Sequence, residues 1–133
     1  MTGPPAEQKS RRLILVAEDD AAIRQLLEKA LGLRYRVESV GDGPSAIARL
    51  TAPGKAIPDL LLCDVMMPGF DGVTVAKKMR ALPPLKNVPI IFLTAKSTPK
   101  DVIVGIQAGA KHYVTKPFLI ADLLAKVAKV LGG

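Results

Sequence analysis

The chain has 133 residues, of which 49% are hydrophobic and 23% charged, a size and composition typical of one globular domain that exclude a disordered chain. Its net charge of +7 can indicate an acidic partner, but the basic residues are dispersed from Arg11 to Lys129 without interleaved aromatic residues, so we expect an ordinary solvated surface. No apolar run is long enough to span a bilayer, residues 1–10 lack a signal-peptide core, and the single Cys63 cannot form an internal disulfide, so we expect a cytoplasmic protein.

Apolar residues alternate between strand and helix periodicity along the chain. Short continuous apolar runs are typical of strands buried on both faces, and apolar residues three and four apart are typical of helices. In chain order, the sequence predicts strands at 13–17, 35–40, 60–63, 90–93 and 112–115, each followed by a helix, at 23–31, 43–50, 73–81, 98–108 and 121–131. Asp20 is expected to be the N-cap of the first helix.

This alternation predicts an α/β fold with one parallel sheet covered by helices on both faces. We expect a single domain over residues 12–131, preceded by a flexible tail at 1–11 and followed by a short end at 132–133.

Polar residues follow the predicted strands at the point where each strand ends. They are Glu18, Asp19 and Asp20 after the first strand, Asp64 after the third, Thr94 after the fourth and Lys116 after the fifth. The carboxyl ends of parallel strands meet at one edge, where α/β proteins form their sites. Clustered carboxylates need a cation to remain ionised together, and an all-oxygen set with one Lys suits Mg²⁺. A carboxylate placed beside Mg²⁺ and Lys can act as a nucleophile toward phosphorus.

Five sequence features in order resemble the receiver domains of bacterial two-component response regulators, including the chemotaxis regulators. They are LVAED at 15–19, LCDVMMPGFDG at 62–72, TA at 94–95, GA at 109–110 and YVTKPF at 113–118. The resemblance spans roughly residues 12–131 and implies a flavodoxin-like fold with five helices and a strand order of 2-1-3-4-5.

The resemblance also implies the chemistry of the site. Asp64 would accept a phosphoryl group from a sensor histidine kinase or a histidine phosphotransfer protein. Asp19 and Asp64 would bind Mg²⁺ directly, Glu18 would reach it through water, and the Met66 backbone carbonyl would complete the protein ligands. Lys116 would contact the phosphoryl group, and its peptide bond to Pro117 would be cis.

Thr94 and Tyr113 would form the switch that responds to phosphorylation. Thr94 would move toward the phosphoryl group, and the Tyr113 ring would then turn inward and reshape the face formed by the fourth helix, the fifth strand and the fifth helix. We expect that face to bind a downstream protein target, a fused output domain or a second copy of the chain. The apolar fourth helix makes it the expected docking surface.

Two further positions are expected to set the lifetime of the phosphorylated state. Met66 and Lys96 lie two residues after Asp64 and Thr94, where family members place side chains along the path of the hydrolysing water. Neither can activate a water molecule as a carboxylate would, so we expect a lifetime of minutes or longer. A phosphoprotein that decays rapidly in Mg²⁺ would contradict this expectation.

Two other functional classes compete with a signalling switch. A metal-dependent phosphohydrolase with an Asp nucleophile would need a second Asp where this chain has Met66, so the expected chemistry is limited to the protein's own phosphorylation and dephosphorylation. A basic nucleic-acid-binding regulator is suggested by the net charge, but no helix-turn-helix follows the last helix, so we expect neither direct nucleic-acid binding nor membrane contact. A free-standing regulator is preferred over a receiver cut from a longer protein.

Overall fold

The computed structural model describes residues 11–67, 69, 71–94 and 112–132. Within them lie five strands, four α-helices and one 3₁₀ turn at Pro83–Leu85. The strands are β1 (Leu13–Ala17), β2 (Arg36–Val40), β3 (Leu60–Asp64), β4 (Ile90–Thr94) and β5 (His112–Thr115). The helices are α1 (Ala21–Gly32), α2 (Gly43–Leu50), α3 (Gly72–Arg80) and the C-terminal helix (Ile120–Leu131). The helix predicted at 98–108 and the docking surface assigned to it lie outside the described residues.

The five strands form one parallel sheet in the order β2-β1-β3-β4-β5. The predicted α/β class, the parallel sheet and its strand order are therefore confirmed. From β1 the chain continues to β2 on one side and then to β3 on the other side. The carboxyl ends of β1 and β3 therefore flank the switch point at which such sheets bind ligands.

Alternation along the central strands divides the core between the two faces of the sheet. Leu15 and Ala17 of β1 pack with α2 and α3 on one face, whereas Ile14 and Val16 pack with α1 and the C-terminal helix on the other. Both faces are covered, so every residue of β1, β3 and β4 is buried. None of the described helices is long and apolar enough to cross a membrane.

Three helices begin with an Asp whose carboxylate accepts hydrogen bonds from the first turn. Asp20 caps α1 as predicted, with its Oδ1 2.9 Å from Ala22 N. Asp42 and Asp71 cap α2 and α3 in the same way. These caps satisfy backbone N–H groups that would otherwise lack partners, and they fix the loops that surround the carboxyl ends of the strands.

The backbone at the end of β3 packs directly against the start of α3. A Cβ atom at Gly72 would lie 2.5 Å from the Asp64 carbonyl oxygen and 3.0 Å from the Cys63 Sγ. Gly72 N also donates a hydrogen bond of 2.9 Å to the Val65 carbonyl oxygen. Only a residue without a side chain permits this approach, so Gly72 sets the path of the chain after Asp64.

We predict that Gly72→Ala destabilises the fold by about 2 kcal/mol, because the added methyl group must displace backbone atoms. Gly32→Ala is the matched control, since nothing lies within 4 Å of a Cβ built there at the end of α1. The control should be neutral or stabilise the protein by up to about 1 kcal/mol. Urea unfolding of the two variants would measure both effects, and equal stability would show that the contact at Gly72 is not tight.

Candidate functional site

Three carboxylates meet at the carboxyl ends of β1 and β3. Glu18 follows β1 and Asp64 ends β3, and these strands are adjacent because Ala17 pairs with Cys63. One oxygen from each of Glu18, Asp19 and Asp64 lies within 4.8 Å of the others. Glu18 and Asp64 are buried, whereas Asp19 is exposed. The predicted convergence of these side chains is therefore present in the structure.

Lys116 supplies the positive charge of the site. Its Nζ lies 2.7 Å from Asp64 Oδ2 and 2.6 Å from Glu18 Oε1, so one ammonium contacts both buried carboxylates. The Lys116 backbone N–H donates a hydrogen bond of 2.8 Å to the Thr94 carbonyl oxygen. The Lys116–Pro117 peptide bond is cis, as predicted. Because β5 pairs with β4 and β4 pairs with β3, the Lys116 side chain reaches Asp64 across one intervening strand.

Backbone N–H groups orient the other oxygens of the two buried carboxylates. Met66 N donates to Asp64 Oδ1 at 3.0 Å, and Asp20 N donates to Glu18 Oε2 at 3.1 Å. Asp64 is thus held at one oxygen by a backbone amide and at the other by an ammonium. Both contacts fix the orientation of the carboxylate.

The Glu18 oxygen Oε1 is suited to a metal ion. It is buried and lies 2.6 Å from Lys116 Nζ, an ammonium that it shares with Asp64. One ammonium between two buried carboxylates leaves an excess of negative charge, which a bound cation would offset. Together with oxygens of Asp19 and Asp64, Oε1 provides the hard oxygen ligands that Mg²⁺ and Ca²⁺ prefer.

The site shifts the pKa values of two of its groups. Burial raises the pKa of Glu18, the hydrogen bond from Lys116 lowers it in part, repulsion from Asp64 raises it further, and the result is about 7. Burial alone would lower the pKa of Lys116, but its contacts with Asp64 and Glu18 outweigh burial and raise it. Lys116 is therefore a permanent cation at physiological pH, whereas Glu18 exchanges a proton near neutrality.

Cys63 lies beside this cluster but does not share its chemistry. The side chain is fully buried, and burial raises the pKa of its thiol well above the usual range. Because the thiolate is the reactive and metal-binding form, Cys63 serves as a small core residue, as its sequence context indicates.

Of the remaining predicted site residues, Thr94 and Met66 lie at the same edge of the sheet, and Tyr113 lies two residue pairs before it in β5. Thr94 is fully buried at the end of β4. The half-buried Tyr113 ring meets Phe92 edge-on, with ring centroids 5.8 Å apart. Met66 is 52% exposed beside Asp64, and Lys96 lies outside the described residues.

Comparison with known proteins decides the family. Residues 14–128 match the response regulator receiver domain family. The chain belongs to this family. Two solved structures illustrate the likeness of this receiver domain. Chemotaxis protein CheY4 of Vibrio cholerae is 31% identical, with a TM-score of 0.84 over 91% of this chain and 99% of that chain. The signal receiver domain of a histidine kinase from Syntrophus aciditrophicus is 32% identical, with a TM-score of 0.82 over 92% of this chain and 91% of that chain.

Curated relatives extend beyond the receiver domain. The DNA-binding response regulator MtrA of Mycolicibacterium paratuberculosis is 41% identical over 118 residues, which are 88% of this chain and 50% of MtrA. Response regulator PleD of Caulobacter vibrioides is 36% identical over 89% of this chain and 25% of PleD. The chain therefore spans about half the length, or less, of these relatives.

Sequence reasoning missed one residue that shapes the site. The Arg24 guanidinium on α1 donates a hydrogen bond of 2.8 Å to the Glu18 backbone carbonyl. A Cβ atom at Gly41 would lie 3.2 Å from the same guanidinium. Arg24 thus ties α1 to the loops after β1 and β2. A basic residue on a predicted helix gave no signal of this contact, since its direction depends on how α1 packs.

We predict that this receiver domain binds Mg²⁺ more tightly as the pH rises from about 6 to about 8, because protons compete with the metal for Glu18. The raised pKa of Glu18, about 7, places the midpoint of this change near neutrality. Calorimetric titration at neutral pH in two buffers of different ionisation enthalpy should show proton release on binding. Glu18→Gln should bind more weakly and lose the pH dependence. A wild-type affinity that is constant across this range would contradict the shared use of Glu18 by proton and metal.

Proposed function

We propose that this receiver domain is a phosphorylation-activated signalling switch in which Asp64 takes a phosphoryl group from the phosphohistidine of a sensor histidine kinase or a histidine phosphotransfer protein. The observation that supports it most is that both oxygens of Asp64 accept hydrogen bonds, one from Lys116 Nζ and the other from Met66 N. A purely structural Asp would not need a half-buried ammonium shared with a second, buried carboxylate.

In the proposed reaction, a carboxylate oxygen of Asp64 attacks the phosphorus atom. The new O–P bond forms as the P–N bond to the donor imidazole breaks, and the imidazole keeps the electron pair and is protonated. Lys116 remains protonated throughout because its pKa is raised. It offsets the negative charge on the phosphoryl oxygens, so it acts by electrostatics rather than by proton transfer.

The carboxylates of Glu18, Asp19 and Asp64 are the proposed holders of Mg²⁺, with Glu18 acting through water and the Met66 backbone carbonyl as a further ligand. When bound, Mg²⁺ offsets repulsion between these carboxylates and the incoming phosphoryl group. The exposed Asp19 leaves the site open on one side, which both the donor histidine and the metal require for entry. Met66, an exposed apolar side chain beside Asp64, supports a long-lived phosphorylated state, to which Lys96 would contribute.

Thr94 and Tyr113 are the proposed route from the site to the partner-binding surface. Thr94 ends β4, the strand next to Asp64, and its backbone pairs with β5, which carries Tyr113 and leads to Lys116. A change at the phosphoryl group would therefore reach β5 through adjacent strands. The proposed output face includes β5 and the C-terminal helix, and its partner is a downstream protein, a fused output domain or a second copy. DNA binding by an output domain, as the name of MtrA indicates for that protein, would belong to a longer chain.

We predict that incubation with acetyl phosphate and Mg²⁺ adds one phosphoryl group to the protein, detected by intact mass. Asp64→Asn should abolish the adduct, because an amide oxygen is a poor nucleophile, and a chelator should abolish it in the wild type. Asp122→Asn is the matched control, since Asp122 is an exposed carboxylate in the first turn of the C-terminal helix, and it should be phosphorylated normally. An adduct that persists in folded Asp64→Asn would refute the assignment.

A further inference from the structure

The fold gathers basic residues that are dispersed along the sequence. In a parallel sheet the amino ends of all strands share one edge, and each connecting helix returns to that edge with its carboxyl end. Every α-helix within the described residues has a basic side chain in its last turn. These are Lys29 in α1, Arg49 in α2, Lys77, Lys78 and Arg80 in α3, and Lys129 in the C-terminal helix.

Loops and strand starts add a second set of cations at the same edge. We call this set the basic end; it consists of Arg11 and Arg12 before β1, Arg34 and Arg36 at the start of β2, Lys55 before β3 and Lys86 before β4. Hydrogen bonds join its members locally, since Arg36 N donates to the Arg12 carbonyl oxygen at 2.9 Å. Favourable interaction with helix dipoles explains basic residues in the last turns of helices, but it does not explain the basic end.

Carboxylates are concentrated at the opposite edge of the sheet. Three of them cap helices, and three more form the site at Glu18, Asp19 and Asp64. Asp59, which precedes β3, is engaged by the Leu13 backbone N–H at 2.7 Å. The salt bridges found among the described residues join Arg49 to Glu38 and Lys116 to its two carboxylates, and none involves the basic end. Two guanidinium groups of the basic end have uncharged partners, since Arg11 Nη1 donates to the Gly32 carbonyl oxygen at 3.4 Å and Arg34 lies over the Tyr35 ring at 5.9 Å. Glu38 interacts electrostatically with Arg36 and Lys55, but none of the six cations is within salt-bridge distance of a described carboxylate.

We propose that the basic end binds the phosphate backbone of double-stranded DNA without reading its sequence. Four of its six members are Arg, whose planar guanidinium matches phosphate oxygens in pairs. Five strands spaced about 4.8 Å apart make an edge about 20 Å long, enough to follow several phosphates. Tyr35, the aromatic residue at this edge in the described part of the chain, is only 8% exposed. It cannot stack on bases, which disfavours single strands.

The exposed apolar residues favour DNA over a lipid surface. Leu33, which is 78% exposed, stands apart in the loop after α1, whereas Ile57 and Leu82, 44% and 36% exposed, line one small groove with Pro84. A membrane-surface site needs a continuous apolar face beside its cations, and Leu33 does not line this groove, so the apolar surface is divided between separate loops. Binding through the basic end would also direct the acidic site away from the polyanion, where a kinase could still reach Asp64.

Fluorescence anisotropy with a labelled duplex of arbitrary sequence would test the proposal on the whole 133-residue chain. At low salt the protein should bind, and the logarithm of its affinity should fall linearly with the logarithm of salt concentration. The triple variant Arg12→Gln, Arg34→Gln, Lys86→Gln removes three exposed cations. It should bind about tenfold or more weakly, with a salt slope smaller by about three.

The matched control removes the same net charge at the other end of the molecule. Ala22→Glu, Gln25→Glu and Ala121→Glu place three carboxylates at exposed helix positions, and they should change the affinity by no more than about twofold at moderate ionic strength, because charges beyond the Debye length are screened. Thermal unfolding would establish that both triples are folded. Absence of binding, equal losses in both triples, or binding to anionic phospholipid vesicles but not to DNA would each overturn the proposal.

Discussion

The ammonium of Lys116 is the interaction on which the site depends. Glu18 and Asp64 end adjacent strands in a water-poor environment, where two like charges repel each other strongly. Lys116 Nζ lies within 2.7 Å of an oxygen of each carboxylate and stabilises the pair. It does not fully offset the effect of burial on Glu18, whose pKa stays near 7. This incomplete compensation is what a second cation would offset. In the proposed function, Asp64 is the nucleophile and Mg²⁺ supplies the rest of the positive charge.

Strand order explains both the site and the distribution of charge. Asp64 is central because β3 lies between β1 and β4, and the pairing of β5 with β4 carries Lys116 to it. The same parallel arrangement brings helix N-caps and site carboxylates to one edge and basic side chains to the other. The chain after Asp64 is fixed by Gly72, whose lack of a side chain lets α3 start against the Asp64 carbonyl. The positions of Asp64 and of the Lys116 ammonium that contacts it thus follow from one strand order.

Much of this could be predicted from sequence, because the signals were local. Continuous apolar runs marked β1, β3 and β4, strand-end carboxylates marked the site, and Asp20 preceded an apolar helical pattern as its N-cap. The sequence did not predict contacts that depend on packing, such as the Arg24 guanidinium on the Glu18 carbonyl. The sequence also did not predict the basic end, because its residues are separated by tens of positions and become neighbours only when the parallel strands align. The roles of the site residues stay predictions, those of Asp64 and Lys116 because they concern a reaction and those of Thr94, Tyr113, Met66 and Lys96 because they concern a change of state or its lifetime.

Borohydride reduction of the phosphorylated protein would test the central claim most directly. An acyl phosphate is reduced to an alcohol, so the modified Asp becomes homoserine and can be located by peptide sequencing in a mass spectrometer. With Lys116 holding Asp64 as the nucleophile, homoserine should appear at position 64 and should be absent from protein that was not phosphorylated. Homoserine at position 19, or a phosphoryl group that resists reduction because it is bound to a hydroxyl or imidazole, would contradict the account.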